Sequence, residues 1–206
     1  MNIDRTTRRE QIRSTAITLF AERGYRGTSM KDIAAALDIR APSLYNHLSS
    51  KQELLQEVTI GTMLTLQRRL DEVLAATGDV VEQVRRGTEC HVLHHALHPK
   101  EVQLGNREIV SLEEPARTEL LTRRRNYARA WQRLIERGNA CGAFDARSPK
   151  LAAFSILEMG IGVATWFNPD RGISAQEVAA HFGEIALRLV GADVPAQLLP
   201  PSATST

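Results

Sequence analysis

With 206 residues and 43% apolar content, the chain can bury a sizeable core, as one body or as a small domain on a larger one, which excludes intrinsic disorder. Its longest apolar runs, such as the one ending at Val163 and Ala164, are interrupted by Glu158 and fall short of the roughly 20 residues needed to cross a bilayer, so no membrane contact is expected. Net charge is only +2, but residues 1–51 hold nine Lys/Arg against five Asp/Glu and the remainder sums to −2, the distribution of a nucleic-acid-binding head on a mildly acidic body.

Strand alternation is nearly absent and helix formers dominate, so an all-α fold is expected. The N-terminal MNIDRTTRREQ lacks the apolar core of a secretory signal, and Cys90 and Cys141 stand far apart without a paired spacing. Both point to a cytoplasmic protein without a disulfide framework or a Cys-based zinc site.

In chain order, Ile12, Ala16, Leu19 and Phe20 fall at helical spacing in a first helix from about Thr6 to Arg23, stopped at Gly24. Thr28 and Ser29 offer caps to a second, short helix striped by Met30, Ile33, Ala34 and Leu37. DIRA then separates it from a third helix opened by Pro42 and running to about Leu48. Ser50 with Glu53 has capping-box spacing and opens a long fourth helix to about Leu74. Two short helices across a tight turn, braced by the first, make a helix-turn-helix. Further helices are expected over Val80–Leu97, Val102–Val110, from Ser111 and Pro115 to Gly138, from Ser148-Pro149 through Trp166, and from a Ser174/Glu177 capping box to about residue 190. Residues 193–206, rich in Pro and Ser/Thr, read as a flexible tail.

The run from Phe20 through GYRGTSMKDIAAALDIRAPSLYNHLSSKQELL resembles the N-terminal domain of the TetR family of bacterial transcriptional repressors, over roughly residues 6–66 with the motif at about 29–48. One departure is Leu48, where Phe is commoner. The resemblance implies a recognition helix in the major groove of double-stranded operator DNA. Arg40, Ala41, Pro42, Ser43 and Asn46 are the groove-facing candidates, and Arg40, Ser43 and Asn46 would carry base specificity. Tyr45, His47 and Lys51, with Thr28, Ser29 and Lys31, are placed for phosphates. Ile33, Leu37, Ile39 and Leu44 are expected in the core.

For the body, residues 67–192, the resemblance implies a small-molecule effector and a homodimer built by the last two long helices. Gly160 and Ala164 are small residues that let a partner helix approach, and Trp166, Phe182, Ile185 and Leu189 complete the expected seam. NREIVSL, RRRNYARAW and ATWFNPDRGISAQEVA resemble, more loosely, acyl-CoA-responsive members of the family. An acyl chain wants an apolar tunnel and coenzyme phosphates want Arg at its mouth. His91, His95, Arg107, Arg124, Tyr127 and Trp131 are the expected ligand contacts, while at least two of Arg123, Arg124 and Arg125 belong on a solvated face.

His91, His94, His95 and His98 recur at helical spacing, the pattern of a metal-responsive regulator, but no carboxylate or Cys cluster completes a site. No metal or cofactor is expected. The enzyme alternative would rest on these histidines with Glu108, Glu113 and Glu114, and would leave residues 1–66 without a role.

Overall fold

The computed structural model describes residues 3–193, with side chains from residue 8 onward; the rest of the expected tail lies outside them. Among the described residues nine α-helices follow in order: α1 Ile3–Arg23, α2 Met30–Ala36, α3 Ala41–Tyr45, α4 Lys51–Ala76, α5 Val80–Leu97, α6 Pro99–Arg107, α7 Ala116–Ala140, α8 Pro149–Trp166 and α9 Ala175–Leu189. Short 3-10 turns lie at Ile109–Ser111 and Pro169–Arg171, and no strand occurs among the described residues.

Local chemistry fixes most boundaries. Ser29 and Ser174 make complete capping boxes with Asp32 and Glu177, each joining two amides that a helix start would leave unbonded. The Ser50 box is only half made: its hydroxyl accepts from the Glu53 amide, but the Glu53 carboxylate turns to the Ser49 amide at 2.6 Å. Helix α3 stops at Tyr45, three residues earlier than expected, because Asn46 and His47 already turn the chain toward α4. Helix α6 starts at Pro99 rather than near Val102, because a proline in the first helical turn needs no amide partner.

The head closes on Ile12, Ala16, Phe20, Ile33, Leu44, Leu54 and Leu55, each fully or almost fully buried. Burial of one such Leu or Ile side chain stabilises by about 1.5–3 kcal/mol. Leu37, Ile39 and Ala41 pack on the edge of this core. In the body α5 is central, packing most extensively on α9 and also on α8, α4 and α7. That is why its histidines are buried although a sequence pattern would allow them a surface.

Head and body meet through α6 and the turn after it. Arg107 donates to the Phe20 carbonyl at the end of α1 at 2.9 Å, and Lys100 reaches the Thr18 hydroxyl at 3.3 Å. From the start of α4, Gln52 donates to the Ser111 carbonyl at 2.6 Å.

Candidate functional site

The head presents its polar groups outward. Asp38, at φ 52°, makes the turn between α2 and α3 in the left-handed region that Asp tolerates better than most residues. Arg40 then caps α3 with extended backbone and no side-chain cap bond. Inward-facing Leu44 leaves Arg40, Pro42, Ser43, Tyr45 and Asn46 exposed on the opposite face, with Tyr45 53% exposed. Ser29 and Lys31, at the start of α2, are exposed as well, and His47 is half-buried.

Two head residues hold other positions than the sequence suggested. The Thr28 hydroxyl is buried and donates toward the Gly24 and Leu19 carbonyls at 3.0 and 3.3 Å, so it locks the α1–α2 connection and is corrected from a phosphate contact to a structural one. Lys51 donates to the Tyr25 and Thr28 carbonyls at 2.8 and 2.9 Å and sits 4.2 Å above the Tyr25 ring centroid. Its ammonium has three donors, so one remains for a phosphate. Ala41 is partly buried on the core and presents only part of its surface to a groove. Arg9, counted above only as basic charge, braces the fold: it donates to the His47 carbonyl at 3.0 Å and pairs with Glu53 at 2.7 Å and with Glu57.

The body holds a cavity of about 260 Å³ between α4, α5, α6, α7 and α8. Of the expected ligand contacts, His91, His95, Arg124 and Tyr127 line it. His91 Nε2 lies 3.1 Å from the Leu157 carbonyl oxygen, which can only accept, so Nε2 carries the proton and Nδ1 accepts from the Tyr127 hydroxyl at 3.2 Å. His95 Nδ1 in turn donates to the His91 carbonyl at 2.7 Å. Burial, reinforced by the neighbouring His95, drives His91 well below the ordinary histidine range, and burial brings His95 down to about 4. At neutral pH these rings are uncharged, and with Met63, Leu66, Val102, Leu157 and Ile161 they make a wall suited to an apolar group.

Arg124 stands at the polar side of this cavity. It donates to the Gly105 carbonyl at 3.1 Å and to Asn106 Oδ1 at 2.9 Å, tying α7 to α6. Burial pulls its guanidinium below the usual range, and Glu158 opposes that shift. Phe154, 60% exposed, lies at the same rim. The other arginines lie elsewhere. Arg123 pairs with Glu119 on its own helix at 2.7 Å, and Arg125 is exposed beside Thr122. Arg107 is spent on Phe20 and Glu108 outside the cavity, and Trp131 is fully buried core against Gly87. Both are corrections to the ligand set.

Sequence reasoning missed Thr59, Thr62, Met63 and Leu66 on α4, and Glu101 and Asn106 on α6, as lining residues. A signal existed: two threonines inside the apolar stripe of α4, at the spacing of one helical face.

The expected seam divides. A Cβ on Gly160 would overlap the His91 ring of the same chain, and Ala164 is buried with its carbonyl accepting from Gln103 at 2.7 Å. Neither faces outward, so both leave the interface set. Gly162, with open space where its Cβ would stand, offers the small outward position instead. Trp166 is half exposed and stacks on half-buried Phe182 with centroids 6.4 Å apart; Ile185 is half-buried and Leu189 exposed further along α9.

Comparison with known proteins agrees with this geometry at both ends. Residues 12–58 match the family model "Bacterial regulatory proteins, tetR family", and residues 77–190 match "Tetracyclin repressor-like, C-terminal domain". The HTH-type transcriptional repressor KstR2 of Rhodococcus jostii is 30% identical over 190 residues, covering 87% of this chain and 89% of that protein. Among solved structures, AibR in complex with isovaleryl coenzyme A and operator DNA superposes with a TM-score of 0.76 at 26% identity, covering 90% of this chain and 99% of that one. KstR2 of Mycobacterium tuberculosis, a ketosteroid transcriptional regulator, superposes at 0.83 with 24% identity over 90% and 96%, a likeness of fold. Among the described residues no helix is long and apolar enough to cross a membrane. A helix-turn-helix head and a helical body matched along both parts of the chain make this protein a member of the TetR family of DNA-binding transcriptional repressors.

Proposed function

We propose that the protein is a cytoplasmic homodimer that binds a palindromic operator and is released by a small hydrophobic effector, an acyl-CoA thioester in particular. A head of residues 6–66 and a body of 67–192 would be joined by α4, which runs unbroken from the recognition motif to the cavity wall. The observation that carries the reading is the double role of α6. One side of it supplies Glu101, Val102, Gly105 and Asn106 to the cavity, and its Lys100 and Arg107 hold α1 of the head. A ligand that displaces α6 therefore acts on the head directly, and it favours the DNA-free state by as much as it binds that state better.

The acyl-thioester choice rests on the apolar wall with Arg124 at its polar side, and on the resemblance to AibR, which was solved with isovaleryl coenzyme A. A cavity of about 260 Å³ takes a short acyl group and leaves the coenzyme at the rim beside Arg124 and Phe154. In this reading the protein acts by binding: both His91 nitrogens are committed, and burial pushes the Tyr127 phenol far above its ordinary range, so neither of these two groups is poised to exchange protons.

Dimerisation would use the outward faces of α8 and α9, with Gly162 admitting the partner helix and Trp166, Phe182, Ile185 and Leu189 forming the apolar seam. The two recognition helices would then meet major grooves one turn apart, about 34 Å. Arg40, Ser43 and Asn46 would read bases, and Ser29, Lys31, Tyr45, His47 and the remaining Lys51 donor would hold phosphates. The test is fluorescence anisotropy on DNA upstream of the protein's own gene. Salt-sensitive binding, reversed by an acyl-CoA and not by its free acid, is expected; tight binding indifferent to every thioester would remove the effector part of the reading.

A further inference from the structure

Beside the main cavity lies a second one of about 210 Å³, lined by Arg13 of α1, Gly61, Thr62 and Thr65 of α4, His94 and His98 of α5, and Glu101 of α6. Thr62 and Glu101 line both, so the two spaces share a wall. His94 is 4% exposed, and neither of its ring nitrogens has a hydrogen-bond partner. Burial, with the nearby His95, brings it down to about 3, so at neutral pH it is an uncharged ring with one donor and one acceptor. A buried polar group without a partner costs stability, and an apolar side chain of similar size would relieve that cost.

The other charges at the site oppose each other. Arg13 is cationic, Glu101 is anionic, and His98 Nδ1 lies 3.5 Å from the Glu101 carboxylate. A lining of mixed sign favours neither an anion nor a cation. What matches His94 is a neutral group that both donates and accepts, which is the chemistry of a hydroxyl. We infer that this second cavity is a specificity compartment for a hydroxyl carried on the effector's acyl group, reached past Thr62 and Glu101 and bonded by His94. The inference rests on the effector-binding reading of the main cavity. Because Arg13 belongs to α1, an occupant of the compartment touches the head without an intermediary.

The test compares hexanoyl-CoA with its chain-hydroxylated derivatives by isothermal titration calorimetry on wild type, His94→Leu and Gly61→Leu. A side chain at position 61 meets no atom within 4 Å of its Cβ and replaces a helical glycine, so that variant fills open space without loss of fold. At least one hydroxylated derivative should bind wild type about ten-fold tighter than the parent, since a site built to bond a hydroxyl rejects the analogue lacking it. Both variants should erase the preference and keep parent binding, and His94→Leu should melt no lower than wild type. Equal affinities on wild type, or a preference that survives both substitutions, would overturn the inference. If no thioester binds, the acyl-CoA reading falls by itself; hydroxyhexanoate against hexanoate then decides the compartment, and no preference there overturns it.

Discussion

The head and the body build their sites in opposite ways. In the head, residues that hold the fold and residues that face outward are different ones on the same short helix: Leu44 is fully buried while Ser43 and Tyr45 are exposed. In the body one set does both jobs, since His91 and Tyr127 line the cavity and also bond each other and the backbone of α8. Substitutions on the outward face of α3 should therefore separate function from stability, and substitutions at His91 or Tyr127 should not.

The largest expected effect concerns acid. His91, His94 and His95 are held below the ordinary histidine value of 6.5, His94 at about 3 and His95 at about 4. The unfolded chain therefore binds more protons than the native one as pH falls through 6.5. Protonation of these rings does not weaken the fold above that value; below it stability is lost progressively, down to about 4 for His95 and about 3 for His94, with His91 also held well below the ordinary range. Each ring contributes up to about 1.4 kcal/mol per pH unit. Melting temperature should fall steeply between those limits, and a flat profile would show the rings to be charged or exposed in the native state.

Next, Gly160→Val drives a side chain into the His91 ring and should cost about 1–3 kcal/mol in urea denaturation. Gly162→Val, two positions on and open at the surface, should leave the monomer fold intact and weaken dimerisation in sedimentation equilibrium. Equal losses of monomer stability at both positions would contradict the assignment of inner and outer faces.

Lys51→Ala and Tyr45→Ala sharpen the contrast within the head. Tyr45→Ala should weaken operator binding by about 1–2 kcal/mol with an unchanged melting temperature. Lys51→Ala should weaken binding and also lower the melting temperature, because it removes the bonds to the Tyr25 and Thr28 carbonyls. The smallest effect belongs to Arg123→Ala, which breaks an ion pair with Glu119 whose partners are both more than a third exposed, and should change stability by less than about 0.5 kcal/mol and effector affinity not at all.

What could be read from the sequence follows the same division. Helix order, the Ser29 cap, the Ser174/Glu177 capping box and the exposed set on α3 are local properties, fixed by residues a few positions apart, whereas the Ser50/Glu53 spacing forms only half a box because Ser49 takes the Glu53 carboxylate. The cavity is a meeting of five helices, so only residues already singled out as unusual, such as His91 and Arg124, could be placed on it. Gly160 shows why the rest failed: a small residue on an apolar helix fits a partner helix or a ring from the same chain equally well, and only the position of α5 decides. Thr28 was misplaced for a different reason, and Lys51 carries a structural role beside the expected one. Their donors suit phosphates and carbonyls alike, and the α1–α2 connection supplies the carbonyls.

Coupling of the body cavity to the head through α6 can be read from isovaleryl-CoA affinity for the free protein and for the protein saturated with operator, in wild type and in Arg107→Ala. Reciprocity requires the effector to bind the operator complex more weakly by the same factor by which it weakens operator binding. A difference of about ten-fold or more is expected in wild type, reduced in Arg107→Ala, with the effector's affinity for the free variant kept. Tight binding of the thioester with equal affinity in the two states of the wild-type protein would contradict it.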